Sequence, residues 1–287
     1  MFDHFTLDEL AVGEVRLRVR HGGTGPALVL LHGHPRTHTT WHAVAPLLAQ
    51  DFTVVCPDLR GYGRSSKPDS DATHAAYSKR AMARDIVGLM TALGHDRYSV
   101  VGHDRGAYVA LRAALDHPER IGRLVFMGVV PIGEAIRRCD ARFATEWWHW
   151  FFFNQPDVPE RVISADPDAW YLRDGLEAKM GADNYRDFLA AVRDPATVHA
   201  MLEDYRAGLS IDNEHDTETI RQGHKVACPT MVVVASKEGD DALYPDLAPI
   251  WRQWADDVRI ARIDTDHHIA EEDPRGLAEL LLPFLKS

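Results

Sequence analysis

The sequence predicts an α/β fold with a mostly parallel central sheet flanked by helices, and three observations lead there. First, short runs such as ALVLLHG (27–33), TVVCPD (53–58), YSVVGHD (98–104), RLVFMG (123–128), TMVVVA (230–235) and VRIARI (258–263) are largely apolar on consecutive positions. Runs without alternation fit strands covered on both faces, as in a parallel sheet. Second, helical patterns separate several of these runs, among them HAVAPLLAQ, KRAMARDIVGLMTALG and AYVALRAALDHP, and GLAELLLPFLKS closes the chain. Strand and helix in alternation imply right-handed crossovers. Third, the rhythm breaks between about 132 and 222, where FATEWWHWFFF, DNYRDFLAAV and ATVHAMLEDYRAG are helical and aromatic in character. This stretch reads as a helical lid of residues 132–222, set into a core made of 1–131 and 223–287.

Size and composition narrow the function. A chain of 287 residues holds one large α/β domain, or one with a sizeable insertion. With 45% hydrophobic and 26% charged residues it has the make-up of an ordinary globular protein. The start, MFDHFTLDELAVGE, carries acids where a secretory leader needs a basic, then apolar stretch, so a cytoplasmic protein without a membrane partner is expected. A formal net charge of −11 argues against nucleic acid as a partner, and an anionic substrate would need a local arginine cluster to overcome the field. Cys56, Cys139 and Cys228 are odd in number and widely spaced, so they are expected to be reduced and buried. The 16 histidines are scattered without an H-E-x-x-H pair, and no metal or cofactor is expected.

The segment VVGHDRGAYVALRAAL (100–115) raises the chemical question. Gly102 and Gly106 permit a tight strand-to-helix turn, but its apex holds Asp104 where a serine is the familiar occupant. A serine needs a base before it can attack, whereas an aspartate is already charged at neutral pH. A carboxylate can displace a leaving group from an sp³ carbon and form an ester, which a histidine-activated water then opens. HGHP (32–35) would bring the His34 amide beside that of Arg105 to hold the oxyanion. In DTDHHIAEEDP the base is His267 or His268.

With these residues assembled, the chain resembles the α/β hydrolases, and more closely the fluoroacetate and haloacetate dehalogenases. The likeness rests on HGHP, DLRGYGRSSKP, GHDRGA, WHWFFFNQP, EDYRAG and DHHIAEEDP. It implies an α/β-hydrolase fold with a helical cap after the sixth strand, a small-molecule substrate such as a 2-haloacid, and a homodimer. It also implies His267 as the base, through its spacing to Pro274, and a halide pocket of His149, Trp150 and Tyr205, whose neutral N–H and O–H donors suit a departing anion. HGxP and GHDxG are shared with epoxide hydrolases, which use two cap tyrosines; here those would be Tyr205 with Tyr171 or Tyr185. A receptor that kept the pocket and lost turnover is a third reading.

The sequence departs from the dehalogenase pattern at three places. The substrate carboxylate is clamped there by two arginines, but only Arg105 is present, and Tyr108 occupies the second position. Arg36 is a candidate replacement for the missing charge. The acid that orients the histidine is absent, because FMGVVP places Gly128 at its position; VVVASKEGDD offers Glu238 first, then Asp240. Asp266, directly before the histidine, stands where relatives tend to have glycine.

Overall fold

The computed structural model describes residues 2–128, 130–238 and 243–287. Eight strands form one sheet in the order β1-β2-β4-β3-β5-β6-β7-β8. The strands are β1 (Thr6–Val12), β2 (Val15–Gly22), β3 (Ala27–Leu31), β4 (Thr53–Pro57), β5 (Tyr98–His103), β6 (Ile121–Met127), β7 (Thr230–Ala235) and β8 (Val258–Ile263). From β4 onward in the sheet every pairing is parallel, while β1 and β2 join antiparallel at one edge. β3 and β7 are buried at every position. In β3, Leu28 and Leu30 enter one apolar cluster and Val29 and Leu31 the other, so the period-2 alternation of the strand feeds two covered faces.

The apolar-run criterion misses β1 and β2. Their residues alternate, as in VRLRVRHG, where Val15, Leu17 and Val19 point inward and arginines stand between them. An antiparallel edge with one solvated face has this pattern, and unbroken apolar runs do not detect it. The cysteine expectation needs one correction: Cys56 and Cys228 are buried, but Cys139 is exposed. All three are free thiols.

Between β6 and β7 the chain is helical, from Ile132–Arg137 to Asn213–Gln222. β3 has β4 on one side and β5 on the other, so chain order reverses there, and the carboxyl ends of the strands beside such a switch point are where α/β sheets hold ligands. Asp104 follows directly on β5. No helix among the described residues is long and apolar enough to cross a membrane.

One buried acid of the helical segment makes stability depend on pH. Burial drives the Asp216 carboxyl up to about 7, against the Gly133 N–H that donates to it at 2.9 Å and the nearby Arg112. Its folded-state pKa lies above the unfolded one, so the folded protein holds the extra proton between about 4 and 7. The stabilisation is complete below this window and is lost as pH rises through it. Urea unfolding is expected to show the wild type losing about 2 kcal/mol more than Asp216→Asn between pH 5 and pH 8. Parallel curves for the two proteins would remove this residue from the account.

Candidate active site

The backbone at Asp104 adopts φ 50° and ψ −119°, a strained conformation for a side-chain-bearing residue, which thrusts the carboxylate out of the turn. The surrounding glycines are sterically required. A Cβ on Gly102 would lie 2.3 Å from the Gly106 carbonyl oxygen, and one on Gly106 would lie 2.4 Å from that of His32. A Cβ on Gly33 would strike Asp104 itself at 2.4 Å. The turn is therefore clamped from both sides, and the HGHP loop is pressed against the carboxylate.

That contact supplies the two amides the sequence points to. The His34 N–H donates to Asp104 Oδ1 at 2.7 Å, and the Arg105 N–H donates to the same carboxylate. Burial pushes the Asp104 pKa up, but the positive charges available at His267, His103 and Arg105, together with the Arg105 amide, outweigh it and hold the group below its ordinary value. Asp104 is thus ionised at neutral pH, and two amides donate to its carboxylate, an arrangement that could also hold the oxygen of an ester formed there.

The histidine loop meets Asp104 from the far side of the sheet's end. His267 Nδ1 lies 2.5 Å from Glu238 Oε1. A carboxylate accepts only, so this contact places the proton on Nδ1 and leaves Nε2 as the base. Of the two acids the segment after β7 offers, Glu238 is the one in contact with His267, while Asp240 lies outside the described residues. At Gly128 a side chain would meet the Phe126 ring at 3.1 Å, and that ring is packed against Trp251 at 4.8 Å, which leaves little room for an acid there. Asp266 stays in its own loop, with its amide donating to Glu272 at 2.8 Å and its carboxylate facing the His267 amide at 3.3 Å. Glu238→Gln is expected to lower kcat by roughly 10²- to 10³-fold, because the amide supports the wrong tautomer and cannot stabilise an imidazolium. A steady-state assay showing less than a threefold change would deny Glu238 this role.

His103, His267 and His268 bring ring nitrogens within 4.8 Å of one another, the one group among the described residues with a metal-holding arrangement. One of the three, His267, is the expected base, and burial keeps His103 at a pKa of about 3 and His268 well below the usual histidine range. Neutral rings of this kind are also what packing alone produces around a catalytic histidine.

Asp104 and His267 open onto a cavity of about 40 Å³, measured as the space open to the centre of a water molecule. Trp150 is on its wall, and His149 faces a second, wider cavity of about 600 Å³ by the same measure. Tyr205 lines neither cavity but packs against residues of both. Its ring lies 5.9 Å from His149, 6.2 Å from Trp150 and 5.2 Å from His34, so the three expected halide donors do gather at one place. Burial lowers His149 to about 4, making it a neutral N–H donor. The Asp104 charge is felt at both His149 and Tyr205.

The carboxylate clamp does not assemble as expected. The Arg105 guanidinium turns away to Asp204, meeting its carboxylate at 2.7 and 3.3 Å and its carbonyl at 2.7 Å, and it is absent from the wall at Asp104. Its contribution at the nucleophile is the backbone amide. Arg36 makes a two-pronged pair with Glu271 at 2.9 and 3.1 Å and faces the wider cavity, so it does not replace the missing charge beside Asp104. Tyr108 does line the cavity. Of the two further tyrosines, Tyr171 lies 5.9 Å from the His34 ring, while Tyr185 packs on Phe188 away from both cavities. No local pattern signals Asp204, which also accepts from Tyr62 at 2.6 Å and pairs with Lys79.

Residues 26–274 match the α/β-hydrolase fold family. The chain is 40% identical to fluoroacetate dehalogenase of Burkholderia sp, over 99% of this chain and 95% of that one. It is 28% identical to the soluble epoxide hydrolase of Corynebacterium sp. (strain C12), over 99% and 98%. Among solved structures, ALR0039 of Nostoc sp PCC 7120, named for its α/β-hydrolase fold, superposes with a TM-score of 0.94 at 41% identity, covering 99% of each chain. The chain belongs to the α/β-hydrolase fold family, in the branch that holds fluoroacetate dehalogenase.

Proposed function

We propose that this hydrolase cleaves a carbon–halogen bond through an ester on Asp104, with the helical segment 132–222 roofing the site as a cap. The observation that carries the reading is the ionised Asp104 held by two amides and faced by the His267–Glu238 pair. In the first step an Asp104 oxygen bonds to the sp³ carbon and the halide departs with the bonding electrons, received by N–H and O–H donors of His149, Trp150 and Tyr205. In the second, His267 takes a proton from water, and the hydroxide adds to the ester carbonyl while the His34 and Arg105 amides hold its oxygen. The acyl C–O bond then breaks, the proton passes to the departing alkoxide, and the products are an alcohol and free Asp104. A 2-haloacid such as fluoroacetate is the substrate that the named relative suggests.

The test is a single turnover in heavy-oxygen water with halide measured alongside. The expected result is stoichiometric halide, with label in the Asp104 carboxylate and none in the first equivalent of alcohol. Label found only in that alcohol would mean direct attack by water and would end the ester mechanism.

Epoxide hydrolysis is the second reading, and one feature favours it. Tyr171 and Tyr205 flank the His34 ring, and the Tyr171 hydroxyl is buried without a hydrogen-bond partner. Two such hydroxyls could donate to an opening epoxide oxygen. A diol formed from styrene oxide, with no halide released from any organic halide, would select this reading.

A further inference from the structure

We propose that the cavity at Asp104 takes an uncharged, apolar organic halide and rejects the haloacid anion, an inference that rests on the carbon–halogen reading above. Its wall is built from Tyr108, Phe126, Val130, Phe143, Trp147 and Trp150, among other residues. The charged residues on that wall are Asp104 and Glu238, and both are acids. Among the described residues no lysine or arginine lines it, and the six positions outside the description are Met, Val, Gly, Asp, Asp and Ala. A carboxylate bound within reach of Asp104 would thus face one or two like charges, with no lysine or arginine on the described wall itself to pair with it.

The arginines that could have supplied the charge are committed elsewhere. Arg105 is 1% exposed and paired with Asp204 through Nε and Nη2; its guanidinium carbon lies behind the wall, 4.3 Å from the centre of the Tyr205 ring, 5.5 Å from that of Tyr108 and 5.8 Å from that of Trp150, with Nη1 buried and without a hydrogen-bond partner. A Cβ on Gly208 would come within 2.8 Å of its Nη2 and 3.4 Å of its Nη1, so both terminal nitrogens lie against that stretch of backbone. Arg36 is 3% exposed, held by Glu271 and stacked on Phe188 at 4.9 Å. Tyr108, at the second clamp position, packs its ring against Phe126 at 5.7 Å and Trp150 at 6.3 Å, and so turns the place of a missing cation into part of an aromatic wall. Burial keeps His103, the other imidazole on the wall beside the base, neutral with a pKa of about 3. Trp150 of the expected halide donors stands on this wall with Tyr205 packed on its ring, while no described arginine stands there for a carboxylate. What remains suits a carbon bearing a halogen at one end and a short hydrocarbon group at the other.

The deciding experiment compares chloroacetate with chloroacetamide, which differs from it chiefly in charge, and with 1-chlorobutane, which is neutral and apolar. Halide release is followed for each, with Asp104→Ala protein as the blank for alkylation of Cys139. The expected kcat/KM for both neutral halides exceeds that for chloroacetate by at least ~50-fold. A preference for chloroacetate overturns the inference and leaves the carbon–halogen reading standing. Halide from none of the three, with no adduct on Asp104, overturns both. Tyr108→Arg is expected to raise kcat/KM for chloroacetate by ~10-fold or more and to lower it for 1-chlorobutane. A folded Tyr108→Arg protein without that shift overturns the role of Tyr108; should the variant not fold, the wild-type ratio decides alone.

Discussion

His267→Ala protein will release about one equivalent of halide and then stop, with the organic group of the substrate retained on Asp104. The first step needs only the carboxylate, its two amide donors and the halide pocket, none of which the substitution removes. The second step needs a base to take a proton from water, and no other imidazole is paired with Glu238. Steady turnover should fall by roughly 10³-fold or more, which is the scale of losing a base that acts together with a nucleophile. Intact-protein mass spectrometry would show the substrate mass minus hydrogen halide, and a peptide digest would place it at residue 104. His267→Gln, which keeps a hydrogen-bonding group opposite Glu238, should trap the same adduct, so the result does not hinge on how the alanine variant packs. Continued turnover in both variants would mean that another group activates the water.

Asp104→Ala is expected to abolish both halide release and adduct formation, lowering the rate by roughly 10⁴-fold or more. Alanine is preferable to asparagine, since the same base and amides that serve the ester could hydrolyse an asparagine side chain back to aspartate. The substitution adds no atoms to a turn whose neighbours stand 2.4 Å from where a further Cβ would fall, so the elbow should keep its shape. Circular dichroism and the melting temperature check that it does. Residual halide release above the uncatalysed rate would assign the chemistry to some other residue.

The parts of the fold legible in the sequence are those dictated by local physics. Strands β3 to β7 announce themselves because both faces of the sheet are covered there, which removes alternation from the chain. The edge pair β1 and β2 alternates and was passed over for that reason. In the site, the elbow glycines and the His34 amide follow from turn geometry within a few residues, while the choice of His267 over His268 rests on the likeness of DHHIAEEDP to the dehalogenase loop. Glu238 was reachable because an acid orienting the histidine has few places to stand once Gly128 is excluded. The failures were charged partners. Arg105 finds Asp204 across 99 residues and Arg36 finds Glu271 across 235, and nothing near either arginine signals that its charge is already matched. Such pairings are settled by tertiary packing, and they decide whether a cation is available to a ligand.

The buried cluster around Asp204 has a further implication for how this architecture can be recombined. Asp204, from the helical segment between β6 and β7, meets Arg105 of the helix that follows Asp104, Lys79 of the helix Lys79–Ala92 and the Tyr62 hydroxyl in one place, while Lys79 also reaches Asp212 at 3.5 Å. That segment and the sheet's own helices are therefore not interchangeable modules. A chimera that imported the segment without an acid at this point would leave cations stranded out of water, at a cost of about 3–5 kcal/mol. Transplanting specificity between relatives would have to carry Asp204 and Arg105 together as a single inherited unit.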